Sequence, residues 1–243
     1  MTRRVSFTVV PYLEGWIPLW ELHLDRLRYG AMALTRRRLP RAALRRRLDE
    51  VLCTLPLEAT LRLRILVPAA GTPVLEPQPL RWVYPDWGLR RVQVVTFHPS
   101  GSPWKTGDWT PYHQAHARAR AAGADEALLV YPDGRVISLA RANLLAYRDG
   151  CWETPPLSAG VISGVMRRLV YRVLRTSRTP LHFRELTLKD LHNAEVVAGM
   201  NSVRLLMPLH LGHRNLEPLR ALWNLLEPHW RQGGWIHPAR SGS

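Results

Sequence analysis

The 243-residue chain carries 34 lysines and arginines against 19 aspartates and glutamates, a formal net charge of +15, with 46% hydrophobic residues. That length can bury a substantial core, in one domain or two small ones, while no apolar run reaches the length of a membrane span and two cysteines, Cys53 and Cys151, are too few for a disulfide framework. The charge invites a nucleic-acid reading, but Leu44, Leu48, Val51 and Leu52 fall at helical spacing within the densest run (Arg36 to Arg38, Arg41, Arg45 to Arg47), which makes it the solvated face of an amphipathic helix without interleaved aromatics.

Alternation over residues 5–10 predicts a strand rather than a signal peptide, and a cytoplasmic location is expected. Helices are predicted over 19–33 and 40–53. A half-exposed strand follows at 60–67, and Arg81 to Tyr84 and Val92 to Phe97 read as continuing its sheet. The Pro/Gly/Ser stretch 99–104 is the best boundary, separating a domain 1–98 from a domain 105–243. Beyond it, Thr110 as N-cap and Pro111 open a helix to Ala122, which Gly123 ends. Strands follow at Asp125 to Val130, Arg135 to Leu139 and Ala142 to Tyr147, with turns at Pro132-Asp133-Gly134 and Asp149-Gly150. A helix near 164–177, strands near 181–186 and 194–209, and a helix near 217–229 complete an α+β chain with two sheets. Gly233-Gly234 and the last residues read as a loose tail.

Only two lysines, Lys105 and Lys189, stand among thirty-two arginines. Arginine serves surface charge as well as lysine does, but only an amine forms a Schiff base. A lysine kept here is therefore either a candidate Schiff-base residue or a chance survivor, and the residues around Lys105 decide between the two. The histidines, His113, His116 and His192 among them, show no ligand cluster with a cysteine or carboxylate, so no metal is expected. His23 reads as a helix histidine packed near Leu22 and Leu27.

Several short segments occur in one order: His23-Leu24-Asp25-Arg26-Leu27, Lys105-Thr106, Gly123 to Leu129, Asp133-Gly134-Arg135-Val136, Ala142-Asn143-Leu144-Leu145, Thr154 to Leu157, Gly164-Val165-Met166-Arg167, Ala194-Glu195-Val196-Val197 and Asn201-Ser202-Val203-Arg204. Together, over about residues 20–210, they resemble the fold-type IV, pyridoxal-phosphate-dependent enzymes: branched-chain and D-amino-acid aminotransferases and aminodeoxychorismate lyase. The resemblance implies a small N-terminal α/β domain and a larger sheet-rich C-terminal domain with pyridoxal 5'-phosphate between them, and a homodimer acting on a small amino substrate. It makes Lys105 the residue that holds the cofactor covalently and then moves the substrate proton. It assigns the cofactor phosphate to Arg26, to the backbone N–H groups of Gly164, Val165 and Met166 at a helix start, and to Asn201 and Ser202; the alternative at that helix start is an ordinary cap, with Ser163 as the capping residue.

The sequence departs from the family pattern in four places. Ser138 occupies the position of a glutamate that, in relatives, keeps the cofactor's pyridine nitrogen protonated; a neutral hydroxyl does not favour that proton. Arg141 replaces a small residue near the cofactor and is expected to approach its ring or phosphate. A first strand and an R-G-x-x-x-G-D turn, which shape the substrate side in relatives, have no counterpart ahead of Phe7-Thr8, and Asp108 and Trp109 replace the usual residues after the lysine. The shortness of the chain, the Gly164 to Arg167 phosphate loop and the absence of the ring-nitrogen carboxylate favour elimination, as in 4-amino-4-deoxychorismate lyase of the folate route, over transamination by a D-amino-acid or branched-chain aminotransferase. The non-enzymatic alternative is a degenerate homologue.

Overall fold

The computed structural model describes residues 5–69, 71–81, 84, 86–99 and 102–240. The N-terminal alternation forms β1 (Val5–Leu13), followed by β2 (Trp16–Ile17), α1 (Trp20–Thr35), α2 (Arg41–Leu52), β3 (Thr60–Pro68) and β4 (Val74–Pro79). Next come β5 (Val92–Thr96), α3 (Thr110–Ala121), β6 (Glu126–Val130), β7 (Arg135–Leu139), β8 (Asn143–Arg148) and β9 (Cys151–Thr154). The chain continues through α4 (Val165–Leu174), β10 (Leu181–Phe183), β11 (Leu186–Thr187), α5 (Leu188–Asn193), β12 (Val196–Asn201) and β13 (Leu205–Pro208), and ends with α6 (Glu217–Arg231) and β14 (Trp235–Ile236). No helix among the described residues is long and apolar enough to cross a membrane.

The chain gathers into two units. The first comprises Met1–Val83, Trp104–Asp108 and Pro228–Ser243, and the second Tyr84–Pro103 and Trp109–Glu227. Residues 105–108 and the C-terminal segment thus cluster with the N-terminal part of the chain, although they follow the 99–104 linker in sequence. Residues 100 and 101 of that linker lie outside the described set.

In the first unit the strands run in the order β14-β2-β1-β3-β4, every neighbouring pair antiparallel. Alternation sends Val10, Tyr12, Leu63, Ile65 and Val67 to one face, where Leu24 and Leu27 of α1 and Leu44, Leu48 and Leu52 of α2 close the core. Arg41 and Arg45, on the outer side of α2, pair with Glu21 on α1, as the amphipathic reading expects. The glycine-rich end is not loose. Gly233 and Gly234, with φ of 72° and 107°, turn the chain so that Trp235 pairs with Ile17. Trp235 is 3% exposed and its Nε1 donates to Asp49 Oδ1 at 2.8 Å. A two-residue strand carries no periodicity, which is why its sequence reads as a tail.

The second unit holds two sheets, β11-β7-β6-β5 and β10-β9-β8-β12-β13, so the described residues form three sheets rather than two. Val92 to Thr96 pairs in parallel with β6 and not with the sheet of β3. Alternation identifies a strand but not its partner. The other segment expected in that sheet, Arg81 to Tyr84, includes residues 82 and 83, which lie outside the described set, and neither Arg81 nor Tyr84 is in a strand. Strand β6 is buried on both sides: Leu128 and Val130 join the core shared with β8, β12 and β13, while Ala127 and Leu129 pack with Tyr112, Ala115 and Ala119 of α3. Its unbroken run Ala127-Leu128-Leu129-Val130 follows from that position.

Because Trp235 fills the first unit's core, Trp235→Ala is expected to lower its stability by about 3–5 kcal/mol in denaturant titration. An unchanged midpoint would return the segment to the status of a loose end.

Candidate functional site

Lys105 is tied to the start of β1. Strand β2 covers only the far end of that edge, at Leu13 and Trp16, and the near end takes Lys105-Thr106: Ser6 bridges Thr106, and Phe7 N–H donates to the Lys105 carbonyl at 3.0 Å. Helix α1 closes over this junction at Gly30, where a Cβ would lie 2.2 Å from Ser6 Oγ and 3.2 Å from Thr106 Cγ2. Glycine is required there by contact. The Lys105 Nζ lies 4.9 Å from the centroid of the Phe7 ring.

Burial first, and then the charges of Arg26, Arg62 and Arg64, lower the Lys105 pKa from 10.5 to about 7. Arg62 and Arg64 come from β3, opposite Pro11 and Val9, on the sheet face away from the core. Arg26 comes from α1 and is 6% exposed. One turn earlier His23, fully buried, meets Thr8 Oγ1 through Nδ1 at 2.7 Å, fixing α1 against β1. The structure therefore brings Lys105 and Arg26 together, and His23 serves packing, as expected. Such an amine is neutral in a large fraction of molecules near pH 7, the state that attacks a carbonyl.

In the second unit α4 starts at Gly164. Gly164 is itself the N-cap, with φ −69° and ψ 147°, and no side chain caps the helix. Ser163, expected as the cap, instead donates its backbone N–H to the Pro103 carbonyl at 2.8 Å. The Asn143 side chain occupies the space beside the cap: its Nδ2 donates to the Ile162 carbonyl at 2.8 Å, and a Cβ on Gly164 would fall 1.8 Å from its Oδ1. Asn143 pairs in register with Met200 of β12, which brings the following turn to the same place. In that turn Asn201 Oδ1 accepts from Val203 N–H at 3.0 Å and Arg204 N–H at 2.8 Å, and Ser202 is 8% exposed. The start of α4 at Gly164 and the end of β12 that leads into Asn201 and Ser202 thus both meet Asn143.

Ser138, on β7, is buried and donates its hydroxyl proton to the Leu139 carbonyl at 3.1 Å. The Arg141 guanidinium is engaged by a carboxylate: Nε donates to Glu126 Oε2 at 2.9 Å and Nη2 to the Asp125 carbonyl at 3.3 Å. Glu126 is buried, and its Oε1 also meets Ala127 N–H at 3.0 Å and His116 Nδ1 at 3.1 Å. His116 thus has the carboxylate neighbour that its sequence position does not reveal. No group of three metal-ligating side chains occurs among the described residues. Sequence reasoning carried Glu126 only as part of the Gly123 to Leu129 segment and gave it no role; the signal for one was a carboxylate opening an otherwise apolar strand.

The lysine and the glycine each yield a test. Between about pH 7 and the ordinary lysine value near 10.4, the unfolded chain holds a proton that the folded chain has released, so stability rises with pH across that window. Lys105→Met is expected to gain stability over wild type most below about pH 7, with the gain shrinking as pH climbs towards about 10; urea titrations at both ends check it, and a gain that grew with pH would refute it. Gly164→Ala forces Asn143 to abandon Ile162, so it is expected to cost about 1–3 kcal/mol alone and less in an Asn143→Ala background. Additive costs in that cycle would contradict the contact.

Comparison with known proteins agrees with this architecture. The family model described as amino-transferase class IV matches residues 6–211. A hypothetical aminotransferase from Mycobacterium tuberculosis, in its PLP-bound form, superposes with a TM-score of 0.77 at 18% identity, covering 93% of this chain and 89% of that one. A provisionally named 4-amino-4-deoxychorismate lyase superposes with a TM-score of 0.72 at 28% identity, covering 94% and 90%. A provisionally named branched-chain-amino-acid aminotransferase from Methanocaldococcus jannaschii is 30% identical over 107 residues, 44% of this chain and 36% of the relative's length. With a lysine-bearing edge on β1, a bare helix start at Gly164 and a family match along most of its length, the chain belongs to the class IV aminotransferase family.

Proposed function

We propose that the protein is a pyridoxal 5'-phosphate enzyme whose reaction is a lyase-type elimination on an anionic amino substrate, as in 4-amino-4-deoxychorismate lyase. The observation that carries the reading is the Lys105 amine, lowered to about 7 by burial and by Arg26, Arg62 and Arg64. Each unit carries groups suited to the cofactor: in the first an amine able to react with its aldehyde, in the second an uncapped helix start and a buried hydroxyl suited to its phosphate. When bound, pyridoxal phosphate supplies an aldehyde that captures amines and a ring that withdraws electrons from the substrate carbon.

The chain's own residues do the rest. Lys105 would hold the cofactor through its amine and, as a neutral base, would take the proton from the substrate carbon. In the first unit Arg26, and in the second the N–H groups of Gly164, Val165 and Met166 with the turn of Asn201 and Ser202, would be the groups offered to phosphate. Ser138 offers a neutral hydroxyl where a carboxylate would bring negative charge, and this favours elimination over repeated amino-group exchange. The likeness to the provisionally named lyase at 28% identity supports the same reading. The branched-chain aminotransferase likeness supports transamination as the second reading, and it extends over 44% of this chain. A homodimer belongs to the proposal by family likeness.

Borohydride reduction after incubation with pyridoxal phosphate is expected to leave an adduct on Lys105, found by peptide mass mapping, with Lys189 as internal control. Release of pyruvate from 4-amino-4-deoxychorismate without a 2-oxo acid would support the lyase; strict dependence on a 2-oxo acid would establish transamination. An unlabelled Lys105 would sink both enzyme readings.

A further inference from the structure

A buried carboxylate at the start of β6 lies outside the residues assigned above. The Glu126 side chain is 7% exposed, and both oxygens are occupied, one by His116 and the Ala127 N–H, the other by Arg141. Its partner Arg141 is 49% exposed on its side chain and could be solvated without help. Withdrawing a carboxylate from water costs several kcal/mol before any pairing, and an apolar residue would continue the strand Ala127-Leu128-Leu129-Val130 without that cost. Stability alone does not explain the glutamate.

The Arg141 main chain supplies a reason. Its carbonyl accepts from Asn201 Nδ2 at 3.3 Å, and Asn201 Oδ1 gathers the N–H groups of Val203 and Arg204 around Ser202. Glu126 also holds Arg141 against the Asp125 carbonyl through Nη2, so both ends of the residue are anchored. We propose that Glu126 is a positioning residue for the phosphate-binding turn: by gripping Arg141 it fixes the carbonyl that orients Asn201, and Asn201 sets Ser202. Burial and the Arg141 charge keep the His116 pKa below its ordinary value. Because a carboxylate only accepts, the hydrogen of that contact lies on His116 Nδ1, which donates to Glu126 Oε1 while Oε2 takes Arg141. The other charges nearby, Arg91 and Arg120, pair with Asp125 and not with Glu126. Arg141 thereby acts through its backbone carbonyl, which refines the expectation that its side chain approaches the cofactor.

This inference rests on the proposed cofactor, and its test separates the two. Wild type, Glu126→Gln and Arg141→Met are titrated with pyridoxal 5'-phosphate and, separately, with pyridoxal, which lacks the phosphate. Each mixture is reduced with borohydride, and the adduct on Lys105 is quantified. Both variants are expected to need about tenfold more pyridoxal phosphate, the effect of losing one charge-assisted contact, with no change for pyridoxal. The double variant is expected to be no worse than the weaker single one, because the two residues act as one unit. Equal weakening for both aldehydes, or no weakening for either, would show a purely structural pair and overturn the proposal. Should Glu126→Gln fail to fold, Arg141→Met decides alone, since its side chain is half exposed. A wild-type protein with no Lys105 adduct from either aldehyde would instead remove the functional reading, and this inference with it.

Discussion

One amine held among three guanidinium groups is the constraint on which the first unit depends. Withdrawal from water, and then repulsion from Arg26, Arg62 and Arg64, disfavour the ammonium form of Lys105 and favour the neutral amine. The surrounding structure keeps the charges close in spite of their repulsion. The β1–β3 register brings Arg62 and Arg64 opposite Pro11 and Val9, the His23–Thr8 contact and Gly30 press α1 onto β1, and the Phe7–Lys105 backbone bond fixes the segment. A lysine kept in a chain that otherwise uses arginine is consistent with this chemistry, since a guanidinium in its place would stay charged at any attainable pH.

The second unit works by hydrogen-bond geometry. A helix start without a side-chain cap leaves its N–H groups to an anion, provided the backbone can be approached. Gly164 makes room for Asn143, Asn143 is paired to Met200, and Asn201 shapes the turn that carries Ser202. Behind that turn, Glu126 and Arg141 form a support that no substrate or cofactor needs to touch. Arrangements of this kind transmit the effect of a distant substitution to binding, because each member fixes the orientation of the next.

Much of the fold was legible in residue order. Periodicity located β1, α1, α2, β3 and α3 to within a few residues, since a buried stripe or face leaves a repeat of 3.6 or 2 in the sequence. Gly123 and the Asp149-Gly150 turn marked ends because their positive φ angles favour residues without a bulky side chain. Motif order pointed to Lys105, Gly164 and Ser202 before any geometry was available. The arginines of α2 were legible as a solvated face because leucines recur between them.

The sequence by itself determined where most of the longer helices and strands lie, that a lysine stands where an amine would be used, and that a serine replaces a carboxylate. Tertiary structure alone decided which strands are neighbours. Val92 to Thr96 joined β6, and Trp235 reached β2 from the far end of the chain, because pairing depends on long-range packing that alternation does not encode. It alone set the lysine among Arg26, Arg62 and Arg64, since residues up to 79 positions apart in sequence meet only when β1, β3 and α1 assemble. It alone joined His116, Glu126 and Arg141, whose link needs the side chains of a helix, a strand and a connection to converge on one carboxylate.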